Sequence, residues 1–295
     1  MPILLGIAAA VLWGTADFLA RFSTRTIGTY RTLVYMQAIG VSVLTVWLAF
    51  NGELAHAAAS HAGTVWAWAL FSSVLSAVAS LAFYRALEIG VLAVVAPVCS
   101  IYPVLTLLLS MYTGERVSRL HIGGIFVALL GVVLAATSFA PVAPTGAGTG
   151  AGPAHGHLTR GVGLALFASI LYGLNFWVIG YHVMSGMSGL MSVWSVRLLG
   201  TLGLVAVAAP VKQSLRLPGR EMWMMLAAIC VCDTSAFVVS NIGLATGHVA
   251  VVTVFGSLFS AVTVFLAWVV LREKLERTQW LGIFLIFIGI ILVSA

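Results

Sequence analysis

Residues 120–137 read LHIGGIFVALLGVVLAAT, and the last eighteen residues of the chain, 278–295, read TQWLGIFLIFIGIILVSA. In both stretches a glycine opens Gly-Ile-Phe, and a second glycine follows seven residues later. An offset of 158 positions gives identity at five of the eighteen positions, and the same offset joins Glu115 to Glu273. Self-similarity at a fixed offset is the signature of an internal repeat. The two stretches therefore predict that the chain is built twice.

Two shorter matches extend this repeat toward the start of each half. GVLAVV at 90–95 corresponds to GHVAVV at 247–252, at an offset of 157. LWG at 12–14 resembles LYG at 171–173, at an offset of 159. Three matches in the same order with nearly constant offset indicate a duplication that covers most of the chain.

The composition places this duplicated chain in a membrane. Hydrophobic residues make up 61% of its 295 residues and charged residues only 7%, against roughly 25% charged in soluble domains. A helix needs about 20 apolar residues to cross the hydrocarbon core. Ten apolar runs meet this need: 3–20, 32–50, 64–84, 91–112, 120–139, 161–182, 187–209, 222–245, 248–271 and 278–295.

Five of these spans fall in each half, and an odd number of crossings turns the second copy upside down relative to the first. We therefore predict an all-α integral membrane protein with ten transmembrane helices arranged as two inverted five-helix repeats. The repeats are predicted at 1–139 and 161–295, and residues 140–160 between them form a Gly- and Pro-rich linker. Inverted repeats are typical of secondary carriers, whose binding sites lie near the middle of the bilayer.

The basic residues are distributed unevenly between the two sides of the membrane. Eleven of the fourteen Lys and Arg residues lie in the odd-numbered connections, whereas only Arg116 and Arg119 lie in the even-numbered ones. Because cytoplasmic connections carry the excess of Lys and Arg, we predict that both termini lie outside the cytoplasmic (inner) membrane. The same rule accounts for the net charge of +6 without a nucleic-acid partner.

The sequence carries no motif for a nucleotide, a metal ion or catalysis. Neither GxxxxGK[ST] nor HExxH is present. Cys99, Cys230 and Cys232 fall inside predicted spans, where buried free thiols are expected, and His155 and His157 lack neighbouring ligand residues in the linker. We expect no cofactor, no metal site and no enzymatic activity, with an intramembrane enzyme as the alternative from a different class.

Of the Asp, Glu, Lys and Arg residues, three lie within predicted spans, where such groups are costly and face protein or water. Arg197 and Asp233 are each about eighteen positions from the middle of the connection near residue 215, so they should lie at similar depth and form an intramembrane ion pair. In one interpretation the two charges neutralise each other at a helix interface. In the other, Arg197 binds a carboxylate of the cargo. Asp17 is either paired with Arg21, four residues on along one helix face, or used in proton coupling.

Aromatic side chains with a polar atom recur within the spans and suit an amphipathic organic cargo. Candidates for lining a binding cavity are Trp13, Tyr84, Tyr102, Tyr172 and Trp177. Trp13 and Tyr172 fall at equivalent positions of the two repeats. The alternative for each is a role as an anchor at the membrane interface.

Uncharged polar residues within the spans favour recognition by hydrogen bonding. Asn175, Asn241 and Ser257 are the candidates for direct contact with the cargo. Ser72, Ser76 and Ser80 share one face of the third span, where small residues either permit close helix packing or line a polar path.

Pro97 and Pro103 interrupt the fourth span. Proline removes a backbone donor and clashes with the preceding turn, so we predict a bent helix here. The bend is either a gating element or a permanent kink.

These features together resemble the drug/metabolite transporter superfamily and, within it, the ten-span EamA family. The resemblance rests on Leu12-Trp13-Gly14, the Ala- and Val-rich segment that ends at Pro97, Tyr102-Pro103, Gly114-Glu115 with Gly124 and Gly131, and Glu273 with Gly282 and Gly289. It covers nearly the whole chain. The resemblance implies a central cavity between the repeats and the export of small metabolites, often amino acids.

Two departures from the family pattern narrow this expectation. Small multidrug relatives use a glutamate in the first helix, where this chain has Trp13, and the second Gly-Glu of the family is Arg272-Glu273 here. We therefore expect export of neutral or aromatic amino acids by alternating access, with efflux of hydrophobic drugs or other metabolites as the alternative. The partners are a small-molecule cargo and the lipid bilayer. We expect a monomer, with a dimer as the alternative.

Overall fold

The structure is a computed structural model, and it describes residues 1–54, 63–113, 119–138, 157–158, 160–246, 249–272 and 275–294. Glu115, Glu273, His155 and most of the predicted linker lie outside these residues. Apart from Thr137–Ser138 and His157–Leu158, two short strands that pair antiparallel, the regular structure of the described chain is helical.

Twelve α-helices make up the described part of the chain. They are α1 (Pro2–Ile27), α2 (Thr29–Phe50), α3 (Gly63–Ile89), α4 (Leu92–Cys99), α5 (Tyr102–Tyr112), α6 (Arg119–Ala136), α7 (Val162–Val178), α8 (Gly189–Ala208), α9 (Arg220–Leu244), α10 (Val249–Ser257), α11 (Phe259–Leu266) and α12 (Arg277–Ser294). π-helical turns continue α7 through Ile179–Val183 and α11 through Ala267–Leu271.

These helices correspond to the ten predicted spans. Two spans are each divided between two helices, the fourth between α4 and α5 and the ninth between α10 and α11. Eight of the ten spans are long and apolar enough to cross a membrane, and α6 and α12 contain shorter apolar stretches. The prediction of an all-α membrane protein in two inverted five-helix repeats is confirmed.

The first two helices are longer than their apolar runs because almost no connection separates them. Gly28 alone joins α1 to α2, and its φ of 87° lies in the left-handed region that glycine adopts without strain. The predicted ends of the first span at residue 20 and of the third span at residue 84 were too early. The helices continue to Ile27 and Ile89 because arginines beyond the apolar runs bond to backbone carbonyls.

One end of the helix bundle is fastened by these arginines. Arg21 Nη1 donates to the Gly90 carbonyl at 3.0 Å, and Arg25 donates to the Glu88 and Gly90 carbonyls at 3.0 and 3.1 Å. The hydroxyl of Thr29 donates to the Glu88 carboxylate at 2.7 Å. These bonds connect the end of α1 and the start of α2, on either side of Gly28, to the end of α3.

The same end joins the two repeats. Arg31 donates to the Arg216 carbonyl at 2.5 Å, and the Tyr35 hydroxyl donates to the Leu215 carbonyl at 2.6 Å. Gly90 lies so close to the Arg160 carbonyl that an added Cβ would approach it to 2.7 Å. The connections near residues 28, 90, 160 and 215 therefore meet at one end of the molecule, which we call the basic end.

The glycines that revealed the repeat face each other in the structure. A Cβ added at Gly131 of α6 would lie 2.6 Å from the Ile286 nitrogen and 2.7 Å from the Gly282 carbonyl of α12. A Cβ at Gly289 would lie 2.6 Å from Ala128 Cα. Small residues let helix backbones approach closely in membranes. The last helices of the two repeats thus pack directly on one another.

Both repeats have a broken fourth helix, although only the first carries prolines there. Ser100 and Ile101 separate α4 from α5, between Pro97 and Pro103. Leu258 separates α10 from α11 at the equivalent position. In the second repeat the Ser257 hydroxyl donates to the Val254 carbonyl at 2.7 Å, and such local bonds compete with the helix ladder.

Candidate central cavity

A cavity lies between the two repeats, near the middle of the helices. It is lined by residues of eight helices: Trp13 and Asp17 of α1; Met36 and Gln37 of α2; Ser76, Ser80, Phe83 and Tyr84 of α3; Tyr102 of α5; Tyr172, Asn175 and Phe176 of α7, with Ile179 beyond it; Val193, Val196 and Arg197 of α8; Asp233, Phe237 and Asn241 of α9; and Phe259 of α11. Both repeats contribute to its wall.

Four aromatic rings form a continuous surface in this wall. Trp13 meets Phe176 and Phe237 edge to face, with ring centroids 5.9 and 5.1 Å apart. Phe176 stacks on Tyr102 at 4.9 Å and lies nearly parallel to Phe237 at 6.5 Å. Edge-to-face and offset stacked contacts are favourable between rings. We call these four residues the aromatic cluster.

The tyrosine hydroxyls along the cavity form hydrogen bonds with other residues of the protein. Tyr102 donates to the Thr253 carbonyl at 3.1 Å, and Tyr84 contacts the Met36 sulfur at 3.3 Å. Tyr172 and Ser80 form a mutual hydrogen bond of 3.0 Å. These bonds fix the rings in place, so the rings present a rigid surface to the cavity.

Two asparagines in the wall retain buried polar atoms that have no partner among the described residues. Asn175 accepts a 2.7 Å hydrogen bond from Ser72 through Oδ1, while its Nδ2 is unpaired. Asn241 makes long donor contacts of 3.4 and 3.5 Å to Ser192 and the Gly189 carbonyl, while its Oδ1 is unpaired. Buried polar groups normally have partners. Beside the cavity, Asn175 can therefore still donate a hydrogen bond and Asn241 can still accept one.

The structure joins Arg197 and Asp233 across α8 and α9. Arg197 Nη2 donates to Asp233 Oδ2, and the two residues are only 4% and 8% exposed. The guanidinium also lies 5.5 Å above the Phe237 ring, within the range of a cation–π contact. The Nε atom of Arg197 has no hydrogen-bond partner in the part of the chain that the structure describes. The two residues that the sequence placed at similar depth thus form a pair, and both lie in the cavity wall.

Asp17 has a different environment from Asp233. It is 6% exposed, and it makes no hydrogen bond or ion pair with any residue that the structure describes. Arg21, the partner that its spacing allows, donates instead to the carbonyls of Leu87 and Gly90. A buried carboxyl without a local partner therefore borders the cavity.

Two candidates from the sequence lie away from the cavity wall. Trp177 packs with Tyr181 and His182, at ring centroid distances of 6.0 and 5.0 Å. Ser257 is bonded to the Val254 carbonyl in the break between α10 and α11. Trp13, Tyr84, Tyr102, Tyr172, Asn175 and Asn241 are brought together around the cavity.

The phenylalanines and Gln37 in the cavity wall were not predicted from the sequence. Only aromatic residues with a polar atom were predicted to line a cavity, so Phe176 and Phe237 received no role. The signal that finds Phe176 is helical periodicity, because positions 172, 175, 176 and 179 form one face of α7 and its π turn and all line the cavity. Gln37 lies against α8, where a Cβ on Gly200 would be 2.5 Å from its Oε1.

Comparison with known proteins identifies the architecture built around this cavity. The model of the EamA-like transporter family matches residues 1–137 and again residues 159–295. The chain belongs to the EamA-like transporter family. The two matched segments are the two halves that meet at the cavity, which makes this EamA-like protein a membrane transporter by family.

A solved structure supports the fold of this EamA-like transporter. That structure, titled only as the crystal structure of a protein, matches with a TM-score of 0.69 at 19% sequence identity. The match covers 99% of this chain and 96% of the other. At this level of identity the likeness concerns the fold alone. No curated protein matches the chain.

Proposed function

We propose that this transporter exports neutral amino acids, aromatic ones preferentially, through the central cavity by alternating access. The observation that carries the proposal is the cavity wall, where the aromatic cluster lies beside two polar atoms without a partner among the described residues, Asn175 Nδ2 and Asn241 Oδ1. Apolar walls with a few placed polar groups are typical of sites for small organic ligands. Such a wall suits a molecule with a flat apolar side chain and a polar head.

The size and rigidity of the aromatic cluster support a ring-bearing cargo. Trp13, Phe176 and Phe237 surround one region of the cavity with ring faces and edges from both repeats. A cargo ring placed there would gain contacts of the same geometry that the three residues make with each other. Smaller neutral amino acids would leave part of this surface in contact with water.

The broken helices support alternating access. The interruptions at Ser100–Ile101 and at Leu258 lie at equivalent positions of the repeats, and Tyr102 follows the first break while Phe259 follows the second. Both of these residues line the cavity. Broken helices near the site are typical of carriers whose repeats rock against each other. In this proposal Pro97 and Pro103 provide the bend that the gate uses.

We further infer that the basic end lies on the cytoplasmic side of the inner membrane, because its connections hold most of the Lys and Arg residues. Export then begins with binding from the basic end and finishes at the opposite one. Asp17 is the group available for proton coupling, since it borders the cavity without a local partner. Facilitated diffusion is the alternative mode.

Counterflow in liposomes tests the proposed cargo. Purified protein is reconstituted, the liposomes are loaded with unlabelled phenylalanine, and entry of labelled phenylalanine is followed. We expect labelled phenylalanine to accumulate transiently, and a Phe176→Leu variant to lose most of this activity while retaining more of its activity toward alanine. Ser73→Ala is the control, because Ser73 donates to the Ala69 carbonyl at 2.6 Å outside the cavity wall. Wild-type liposomes without counterflow would contradict an amino-acid cargo.

The apolar wall also favours a second candidate function, the efflux of hydrophobic drugs. The same aromatic cluster would bind a lipophilic dye without using Asn175 or Asn241. Dye efflux that is insensitive to an excess of phenylalanine, and unchanged in Asn175→Ala, would favour this candidate. Competition between phenylalanine and the dye would place both in the proposed site.

A further inference from the structure

The formal charges around the cavity do not balance. Of the described side chains that line it, Asp17 and Asp233 are acidic and Arg197 is basic. With all three ionised, the wall carries one uncompensated negative charge. Asp17 and Asp233 line the same cavity, so with all three residues ionised its wall is one positive charge short.

The negative charge in excess belongs to Asp17. The guanidinium of Arg197 is bonded to Asp233 and covered on one face by Phe237, so its charge is already compensated. Asp17 is more than nine-tenths buried and has no partner among the described residues. A buried carboxylate is costly unless a positive group or hydrogen-bond donors accompany it. A cation placed beside Asp17 would remove this cost.

The surroundings of Asp17 suit an organic cation more than a bare metal ion. Trp13 lies one helical turn before Asp17 on α1, and both residues line the cavity. Phe176 and Phe237 pack against Trp13. The faces of such rings attract ammonium groups. No group of three potential metal ligands was found among the described residues.

We propose that Asp17 binds the protonated amine of the cargo, that this amine is the group required for binding, and that aromatic amines without a carboxylate are therefore a further class of substrate. The inference deepens the proposed function, since an amino acid would use the same contact. A cargo with a carboxylate and no amine meets Asp17 as a like charge. Arg197 would not compensate the carboxylate of such a cargo, because drawing Arg197 away from Asp233 would leave a second unpaired acid.

Three probes that share one phenyl ring test this requirement on the wild-type protein. Binding of labelled phenethylamine to the protein in lipid nanodiscs is measured, with phenylalanine and 3-phenylpropionate as competitors. We expect phenethylamine to bind and phenylalanine to compete. 3-Phenylpropionate should require at least a hundredfold higher concentration than phenylalanine. Absence of phenethylamine binding, or equal competition by 3-phenylpropionate, overturns the inference.

Variants of Asp17 assign the contact. Asp17→Asn keeps the shape of the side chain and removes the charge, and we expect it to weaken phenethylamine binding at least tenfold. Asp17→Glu retains the charge and should bind more tightly than Asp17→Asn. Ser73→Ala should bind like the wild type, since Ser73 is bonded to the Ala69 carbonyl outside the cavity wall. Wild-type affinity in Asp17→Asn shows that the amine binds elsewhere and overturns the assignment, and the probe comparison decides the requirement even if a variant does not fold.

The same protein preparations separate this inference from the proposed function. Phenethylamine binding that depends on Asp17, without counterflow of phenylalanine, supports the amine site and contradicts an amino-acid cargo. Phenylalanine counterflow that is unchanged in Asp17→Asn supports the amino-acid cargo and overturns the amine site.

Discussion

The two halves of the transporter place a buried carboxylate at the same cavity in opposite circumstances. Asp233 in the second half is bonded to Arg197, whereas Asp17 in the first half has no partner among the described residues. Both are less than a tenth exposed. A paired acid holds two helices together, and an unpaired acid remains available to a ligand. Burial alone does not distinguish these roles, but the presence of a partner does.

Removal of Arg197 should turn the paired acid into an unpaired one and strongly destabilise the protein. Arg197→Leu would leave Asp233 as a second unpaired acid, and breaking a buried pair costs about 3–5 kcal/mol. We expect a loss of that order in the free energy of unfolding, measured by equilibrium unfolding in mixed micelles. The double exchange Arg197→Asp with Asp233→Arg should recover much of the loss. If it does not, the two residues do more than neutralise each other.

The glycine contact shared by the halves provides the next effect. Gly131→Ala would force a Cβ against the backbone of Gly282 and Ile286, and overpacking costs about 1–3 kcal/mol. Gly123 on the same helix is the matched control, because nothing lies within 4 Å of the Cβ it would gain. We expect Gly131→Ala to lower the thermal unfolding temperature and Gly123→Ala to leave it unchanged or raise it slightly, because alanine favours the helix more than glycine does. Equal effects would show that α6 and α12 are not tightly packed.

Neutralising Asp233 and Asp17 one at a time should affect the stability of the protein differently. Asp233→Asn removes the charge that holds Arg197, so we expect it to destabilise the protein. Asp17→Asn removes an unpaired buried charge, so we expect stability to be unchanged or raised by about 1 kcal/mol, a typical size for one buried polar interaction. Both variants are measured in the same micelle unfolding assay. Destabilisation by both would indicate that Asp17 also has a structural partner.

The smallest effect concerns the helix break of the second repeat. Ser257→Ala removes the hydroxyl that bonds to the Val254 carbonyl. We expect a change in unfolding free energy of about 0.5–1 kcal/mol, the ordinary net value of one such bond, with no change in cargo affinity. A marked loss of affinity would place Ser257 in the binding site after all.

Much of the architecture could be predicted because it rests on regular patterns. Apolar runs of sufficient length gave the ten spans, and the spacing of Gly124 and Gly131 gave the repeat. Equal distances from a connection placed Arg197 and Asp233 at one depth, and the structure pairs them. Such arguments succeed because helices advance by a constant rise for each residue.

The parts that resisted prediction depend on helix rotation and on local bonding. Phe176 lines the cavity while Trp177 packs elsewhere, because adjacent positions point about 100° apart around a helix. The helix break at Leu258 could not be predicted, because no proline lies near it in the sequence. Asp17 and Arg21 are spaced for a local pair, yet the arginine bonds to the end of α3. These outcomes are decided by tertiary contacts between distant parts of the chain.

The positions of Asp17 and Arg21 join the cavity to the basic end through one helix. Asp17, which faces the cavity, and Arg21, which fastens α1 to the end of α3, lie one turn apart on a continuous helix. A helix without a break transmits displacement as a stiff rod does. If the cargo amine binds Asp17 as proposed, any displacement of this part of α1 would also act on the bonds that Arg21 makes with the end of α3. Occupancy of the cavity would then be felt at the basic end through a single continuous helix.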